Sequence, residues 1–520
     1  MGFDGAPLTK SGKKEFYPIM VGFLNVPSKK HVVFTAALYC SDVTLQNPKA
    51  IFKDFIPELN RLHKEGLLIN GKHVKIKMAA YCMDAPAKAL VLGINNHNAF
   101  SSCTRCKVMG KSYGKRRSYQ AQNSARRLHQ DWLAKSDDCF FSGENCLADI
   151  NGIDFATEVV LDHQHLICLG VMKKLLVNFW VRGSHKNKFA KLSDHDLKRI
   201  NQRISYLHDK KLFPQEFAKY PRTLAYVGKW KATEFRAFIL YLGPVVLKDI
   251  LNSKAYEHFM RFHTAITILL SEVLCNKQNI AFADQQLRLF VLEFAELYGE
   301  DYVSHNVHGL IHLAEDAVKF GPLDNVAAFR FENHLGYLVS LVNKPAEAVQ
   351  QVFRRIDERD QSNFTPTAAD TSTKPSFSMS HEGGPLAPKT SDPQYRTVRF
   401  PHFTLSIQRP GDQCFMSRNH KVILLSNIAS SMKDGSPKII GSDFSRKEDF
   451  YQDPVVSSSL GIQEVSCLSK KVTAYDVEDI FLKCVILPFF LDPNDPIGTK
   501  LVNEDGLRII FPMVHLGRSE

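Results

Sequence analysis

The sequence predicts a mixed α/β core that is interrupted by a long helical region and followed by a smaller β-rich region. Three observations predict this order. Extended apolar runs dominate the start of the chain, helical apolar spacing dominates from about 165 to 320, and short apolar runs between Asp, Gly, Ser and Pro dominate the end. The 520 residues are 44% hydrophobic, which excludes a disordered or fibrous protein, and the net charge of +12 favours a polyanionic partner.

The predicted core elements follow in the order strand, strand, strand, helix, strand, helix. Extended patterns predict the first three strands at about 3–8, 15–24 and 32–40. Apolar residues at helical spacing predict a helix over 48–65. Lysines alternate with apolar residues over 74–78, which predicts a fourth strand that ends at Asp84, before a helix from Pro86.

A linker is predicted after the helical region, because 18 of the 33 residues from 361 to 393 are Ser, Thr, Pro or Gly. The predicted segments are a first core part at 1–110, a basic loop and helical insertion at 111–304, a closing core part at 305–355, a disordered linker at 356–395 and a small β-rich domain at 396–520. The chain has no run of 18 uncharged apolar residues, so no membrane partner is expected.

Three acidic residues are candidates for a metal site at one edge of the predicted core. Asp4 lies in the first strand and Asp84 ends the fourth, and adjacent strands present their ends to a common edge. Glu332 opens a helix whose apolar face suits packing against such a sheet. Carboxylates held together in this way bind pairs of divalent ions. The alternative for each acid is a solvated or helix-capping carboxylate.

Two pairs of residues have the spacing of zinc ligands. Cys103 and Cys106 form a C-x-x-C pair, and His308 and His312 lie four apart on one helix face. Gly309 replaces the glutamate of the H-E-x-x-H motif, which disfavours a zinc hydrolase. The alternatives are a free thiol pair and ordinary helix histidines, and His305, one turn earlier, is a substitute ligand. The 11 scattered cysteines disfavour a disulfide framework.

Asp162 and His165 precede an apolar helix. Asp162 suits the N-cap position, with His165 on the first turn, and a role near a metal centre is an equal alternative.

A basic segment from 105 to 127 is a candidate DNA contact because it has eight Lys or Arg, no acid, and two interleaved tyrosines. A solvated basic face is the alternative. The predicted DNA-binding residues are Arg105, Lys107, Lys111, Lys115, Arg116, Arg117, Arg126 and Arg127.

Taken together, these motifs resemble those of cut-and-paste DNA transposases with an RNase H-like DDE core, most of all the CACTA (EnSpm-like) group, which is related to Transib-type recombinases. The resemblance covers roughly residues 1–355. The motifs are Asp4-Gly5-Ala6-Pro7-Leu8, Cys82-Met83-Asp84-Ala85-Pro86-Ala87-Lys88-Ala89, Cys103-Thr104-Arg105-Cys106, Asp162-His163-Gln164-His165-Leu166, His308-Gly309-Leu310-Ile311-His312 and Phe331-Glu332-Asn333-His334-Leu335-Gly336.

The resemblance implies an RNase H-like sheet with a helical insertion between the second Asp and the Glu. It implies that Asp4, Asp84 and Glu332 are a DDE triad that holds two Mg²⁺ or Mn²⁺ ions for DNA cleavage and strand transfer. It also implies one structural Zn²⁺ on the Cys and His pairs. DNA is the implied partner, with a homodimer, no small-molecule substrate and a nuclear location.

One departure leaves a second hypothesis open. The family carries a DNA-binding region ahead of the first Asp, whereas here three residues precede Asp4. The alternative is therefore a domesticated, catalytically silent, zinc-stapled DNA-binding protein without end recognition.

Overall fold

The computed structural model describes most of the chain as two compact units. The described residues are 1–9, 14–26, 29–30, 32–43, 45, 47–119, 124–183, 188–362, 374–489 and 506–514. Unit 1 comprises residues 1–171 and the described part of 287–367, and unit 2 comprises residues 172–286 and the described part of 368–518. None of the helices in the described ranges combines the length and apolar character that a membrane crossing requires.

Unit 1 contains an antiparallel sheet built from the first 41 residues. The strand Glu15–Gly22 lies at its centre, with Val33–Ser41 on one side and the short strands Gly2–Phe3 and Ala6–Pro7 on the other. The three predicted strands are thus confirmed, the first as two short pieces on either side of Asp4. Phe16, Ile19 and Met20 are fully buried, which explains why the central strand reads as a continuous apolar run.

The sheet edge continues through two parallel backbone contacts. Gly2 pairs with Cys82, and Tyr81 pairs with Val159. The Cys82 N–H donates to the Met1 carbonyl at 2.8 Å, and the Tyr81 N–H donates to the Glu158 carbonyl at 2.8 Å. The order across this edge is therefore 33–41, 15–22, 2–3, 81–82 and 159.

The predicted fourth strand was placed too early in the chain. Lys72–Val74 is a strand, but it pairs with Leu67–Ile69 in an exposed hairpin, and residues 75–80 form no strand. The contact with the sheet comes later, at Tyr81 and Cys82, which are buried. The alternation over 74–78 follows the exposure of the side chains and does not reflect pairing with the sheet. A short alternating run does not specify which strand it pairs with.

Outside the long helical stretch, unit 1 contains the helices that the sequence predicts and several additional short ones. The predicted helix over 48–65 is present as two pieces, and the helix after Asp84 begins at Ala85. The bounds are Lys49–Phe52, Phe55–Glu65, Ala85–Leu92, His129–Ala134, Phe155–Glu158, Leu323–Val326, Phe329–Ser340 and Ala348–Ser362. Two further strands, Lys111–Tyr113 and Arg116–Ser118, form a hairpin.

The helix Phe329–Ser340 packs directly on the sheet. The Phe331 ring covers Gly2 so closely that a Cβ at position 2 would overlap it. Phe331, Leu335 and Leu338 are buried in one apolar cluster with Phe16 and other strand residues. Because Glu332 follows Phe331 in the chain, this packing sets its backbone beside the strand that precedes Asp4.

The helical stretch predicted from about 165 to 320 is confirmed. Local capping explains several of its boundaries: Ser193 and Asp196 form a reciprocal capping box, and Asn252 caps the next long helix. The helices and helical turns are Gln164–Met172, Lys174–Val181, Asp194–Asp209, Leu224–Lys229, Ala232–Ala237, Phe238–Leu242, Gly243–Val246, Ser253–Leu270, Lys277–Tyr298, Glu300–Tyr302, His305–Gly309, Leu310–His312 and Leu313–Phe320.

The β-rich region predicted at the end of the chain is confirmed, and its described residues form a ten-stranded antiparallel sheet in unit 2. Six of its strands pair in a closed ring, since the last pairs back with the first. In ring order they are Val422–Ser431, Cys414–Ser417, Ile480–Pro488, Arg508–Pro512, Gln463–Leu468 and Pro437–Glu448. The other four are Ser376–His381, Thr390–Arg399, Thr404–Ser406 and Thr473–Asp476. Single helical turns occur at Pro410–Asp412, Ser457–Leu460 and Val477–Asp479.

The linker predicted over 356–395 is wrong at both ends. The helix Ala348–Ser362 enters it, and the strands Ser376–His381 and Thr390–Arg399 occupy its second half. Only 363–373 of this range lies outside the described residues. Ser376, Ser378 and Ser380, three of the residues that suggested a linker, instead lie exposed on the strand Ser376–His381.

Within unit 2, the β-rich region is joined to the preceding helical region by buried charges. Lys483 is fully buried, and its Nζ lies 2.6 Å from both Asp412 Oδ1 and Glu216 Oε2. The same Nζ donates to the Thr404 carbonyl at 2.7 Å. Such a satisfied ionic cluster makes the two regions one compact unit.

Candidate functional site

The three acidic residues singled out from the sequence come from three different elements of unit 1. Asp4 follows the strand Gly2–Phe3, Asp84 caps the helix Ala85–Leu92, and Glu332 lies on the first turn of Phe329–Ser340. Asp84 Oδ1 accepts the Ala87 N–H at 2.8 Å, so the capping alternative is correct for this residue. Capping leaves its second oxygen available, so the two roles are compatible.

The Asp4 carboxyl group lies close enough to both other acids for their charges to affect its ionisation. Burial, together with the negative charges of Asp84 and Glu332, raises the pKa of Asp4 to about 7. The Gly5 N–H, which donates to Asp4 Oδ1 at 2.8 Å, and the positive charge of His165 act in the opposite direction. A bound cation would relieve the repulsion between these carboxylates.

Glu332 is half-buried, with 38% of its side chain accessible. Burial raises the pKa of Glu332, and the charges of Asp162 and Asp84 add to this rise. A hydrogen bond from the Gln164 side chain and the charge of His165 oppose it. The Glu332 carboxylate is therefore contacted by the segment that begins at Asp162.

Asp162 and His165 are brought beside the three acids. Asp162 accepts the N–H groups of Gln164 at 3.2 Å and His165 at 3.1 Å, so the predicted N-cap role is present. Its Oδ2 also lies 2.5 Å from His165 Nδ1. Burial opposes ionisation of this pair, but the mutual contact lowers the pKa of Asp162 to about 2 and raises the pKa of His165 to about 9. Asp162 therefore binds the His165 ring and fixes its orientation.

The donor set of Asp4, Asp84 and Glu332 fits hard divalent cations, because carboxylate oxygens are the ligands that Mg²⁺ and Mn²⁺ prefer. Their oxygens do not all lie within 4.8 Å of one another, since the only group of at least three such side chains that meets this limit in the described ranges contains cysteine and histidine.

The second predicted site is assembled as a buried cluster that could hold a metal ion. The ligand atoms of Cys103, Cys106, His308 and His312 all lie within 4.8 Å of one another, although about 200 residues separate the two pairs. Cys106 Sγ lies 3.3 Å from His308 Nε2. The hydrogen bonds of Cys106 and the two histidines hold the pKa of the Cys103 thiol well below its usual value despite burial. A thiolate is the form that binds metal.

The surroundings of the cluster also fit a metal. His312 contacts both Cys103 within the cluster and Glu315 outside it, and its Nδ1 lies 3.2 Å from Glu315 Oε1. A carboxylate on the far nitrogen of a histidine is the usual outer contact of a metal ligand. Two cysteines and two histidines favour zinc among the divalent ions. His305, the substitute ligand, instead contacts Ser102 Oγ at 3.0 Å and lies outside the cluster.

The predicted DNA-binding residues divide into buried and exposed groups. Arg105 and Arg127 are each only 2% exposed, so their assignment to a DNA contact is wrong. Arg105 binds Asp316 and the Val159 carbonyl, and Arg127 binds Asp137 at 3.0 Å. Because buried guanidinium groups satisfy internal acceptors, they are unavailable to phosphate.

The other six basic residues reach the surface to different extents. Lys111 and Lys115 are exposed. Four face a neighbouring group within the unit, which reduces the charge that they offer to a polyanion. These four pairs are Lys107 with Asp131, Arg116 with Asp301, Arg126 with Glu315, and Arg117 with the Phe100 ring.

Three residues near the acids escaped the sequence reasoning. Gln164 is 2% exposed and binds Glu332. Lys88 is buried on the helix capped by Asp84, and its Nζ donates to the Val160 carbonyl at 2.8 Å. Asp316 accepts the Leu161 N–H at 2.7 Å. In the sequence, the only signal for Lys88 and Asp316 was a charged residue within an otherwise apolar helical pattern.

Comparison with known proteins covers only part of unit 2. Residues 380–502 match a family described as Domain of unknown function (DUF8592). Neither a curated protein nor a solved structure matches the chain.

Proposed function

We propose that this chain is a transposase or a transposase-derived protein whose unit 1 cleaves and joins DNA with two divalent ions held by Asp4, Asp84 and Glu332. The observation that carries the proposal is the convergence of these three acids from distant parts of the chain. The charges of Asp84 and Glu332 act on Asp4, which Asp84 follows by some 80 residues and Glu332 by more than 300.

The backbone order supports the RNase H-like part of the proposal. Three antiparallel strands are followed by two parallel contacts at 81–82 and 159 on the side of the first strand. Along the chain, the elements follow the order strand, strand, strand, helix and extended segment that the sequence predicts. The acids then lie where the strand of Asp4 and the extended segment before Asp84 run side by side, which is the placement a shared metal site needs.

When bound, two Mg²⁺ or Mn²⁺ ions would supply activation of a water or 3′-hydroxyl and stabilisation of the leaving oxygen. The chain contributes the rest. Asp84 is held by the Ala87 N–H, and the helix of Glu332 is fixed by Phe331 on the sheet, so the acids are oriented before substrate arrives. The Cys and His cluster would hold one structural zinc that joins residues 103–106 to 308–312.

The decisive experiment supplies a DNA end with a free 3′-hydroxyl, so that recognition of element ends is not required. Strand transfer into a plasmid is expected with Mg²⁺ or Mn²⁺, and it should disappear with EDTA. Asp4→Asn, Asp84→Asn and Glu332→Gln should each abolish the reaction, because each removes a charge at nearly constant shape. Asp443→Asn, a partly buried acid of unit 2 that pairs with Lys421 at 3.2 Å, is the matched control.

Two measurements distinguish the active enzyme from the silent, domesticated alternative. Mn²⁺ binding by the wild type with weaker binding by Asp84→Asn, but no strand transfer, would favour the silent protein. Equal Mn²⁺ affinity in the wild type and all three variants would show that the triad assignment is wrong.

A further inference from the structure

The segment Asp162–His165 begins one helix of unit 1 and contacts the start of another. Asp162 is 4% exposed, and besides capping its own helix it accepts the Ala328 N–H at 3.0 Å. Ala328 immediately precedes the helix Phe329–Ser340, which carries Glu332. One buried carboxylate therefore anchors the start of two helices.

His165 extends this contact to the acid itself. Its Nδ1 lies 2.5 Å from Asp162 Oδ2, and its Nε2 lies 3.3 Å from Glu332 Oε1. The buried Gln164 side chain donates a second hydrogen bond to Glu332. Glu332 is thus held by two side chains of one segment, whereas a helix cap alone would need neither the His165 contact nor the Ala328 contact.

We propose that His165 is a positioning residue that, oriented by Asp162, holds the Glu332 carboxylate toward Asp4 and Asp84. This inference rests on the proposed function, because it assigns His165 a task only if those acids bind cations together. A long glutamate side chain samples several rotamers when it is half-exposed, and fixing it lowers the entropy that ion binding must remove.

Neighbouring residues provide a matched comparison. His163 lies on the same segment and is 1% exposed, but its Nε2 faces Asp324 at 3.3 Å and not Glu332. A change at His163 disturbs packing without touching the acids. A change at His165 removes the contact that the proposal requires.

The test measures Mn²⁺ binding to the full chain by electron paramagnetic resonance, with the free energy of unfolding measured in parallel. His165→Phe should weaken Mn²⁺ binding about 10-fold or more, as changes of outer contacts do at metal sites. His165→Gln, which keeps a donor for Glu332, should recover part of the affinity. His163→Phe should bind Mn²⁺ as the wild type does.

Three results would overturn the inference. Unchanged affinity in His165→Phe, with weaker binding by Glu332→Gln, would remove the positioning role and leave the proposed function intact. Equal losses in His165→Phe and His163→Phe would assign the effect to general packing. Absence of Mn²⁺ binding by the folded wild type would refute both the inference and the proposed function.

Discussion

Replacing Arg105 tests whether the residue between Cys103 and Cys106 is structural or binds DNA. Arg105→Met removes the charge and keeps most of the side-chain volume. In the wild type, the buried guanidinium binds Asp316, the Val159 carbonyl at 3.1 Å and the Ala156 carbonyl. These contacts connect the C-x-x-C loop to the extended segment that leads to Asp162.

The expected destabilisation follows from what the substitution leaves behind. Asp316 is 1% exposed, and without Arg105 its carboxylate keeps the Leu161 N–H as a hydrogen-bond donor. Breaking one side of a buried ion pair costs about 3–5 kcal/mol of unfolding free energy, since the remaining charge stays desolvated. Arg116, whose side chain is 50% exposed and 3.3 Å from Asp301, should cost only about 0–1 kcal/mol when replaced by Met.

Unfolding by denaturant is monitored through hydrogen exchange in peptides of unit 1. DNA binding is measured separately at several salt concentrations. Arg105→Met should lower the free energy of unfolding. The DNA affinity of the molecules that remain folded should depend on salt concentration as it does in the wild type. The double variant Arg105→Met, Asp316→Leu should recover much of the loss because no charge remains buried. A fully stable Arg105→Met protein whose salt slope falls by about 0.9 would refute this reasoning and restore the phosphate contact.

Two further predictions concern the metal content of the chain and the buried ionic cluster around Lys483 in unit 2. Elemental analysis should find about one zinc per folded chain, strongly reduced in Cys103→Ser and retained in His305→Gln; a folded wild type without zinc would contradict the assignment. Lys483→Met should lower the free energy of unfolding by about 3–5 kcal/mol because it strands two carboxylates, whereas the exposed pair of Lys421 should contribute about 0–1 kcal/mol. Equal effects of the two lysine substitutions would show that the buried cluster does not join the β-rich and helical regions.

The amino-acid sequence by itself determined the local elements of this protein. Helical spacing, N-cap residues and alternating strands are short-range properties, so the strands at 15–22 and 33–41, the helix after Asp84 and the helical stretch were predictable. The C-x-x-C and H-x-x-x-H pairs were predictable for the same reason, because each half of the cluster is contiguous.

Only the tertiary structure decided which distant residues meet. Position 81–82, not 74–78, contacts the strand at Gly2, because strand pairing depends on a partner that a local pattern does not contain. The basic segment shows the same limit for charge. Arg105 and Arg127 look like their neighbours in the sequence, yet both are buried against acids or carbonyls supplied by other parts of unit 1. Long-range packing determines whether a charged side chain faces water or a buried partner. For this reason the sequence could not show that these two arginines are buried while Lys115 is exposed.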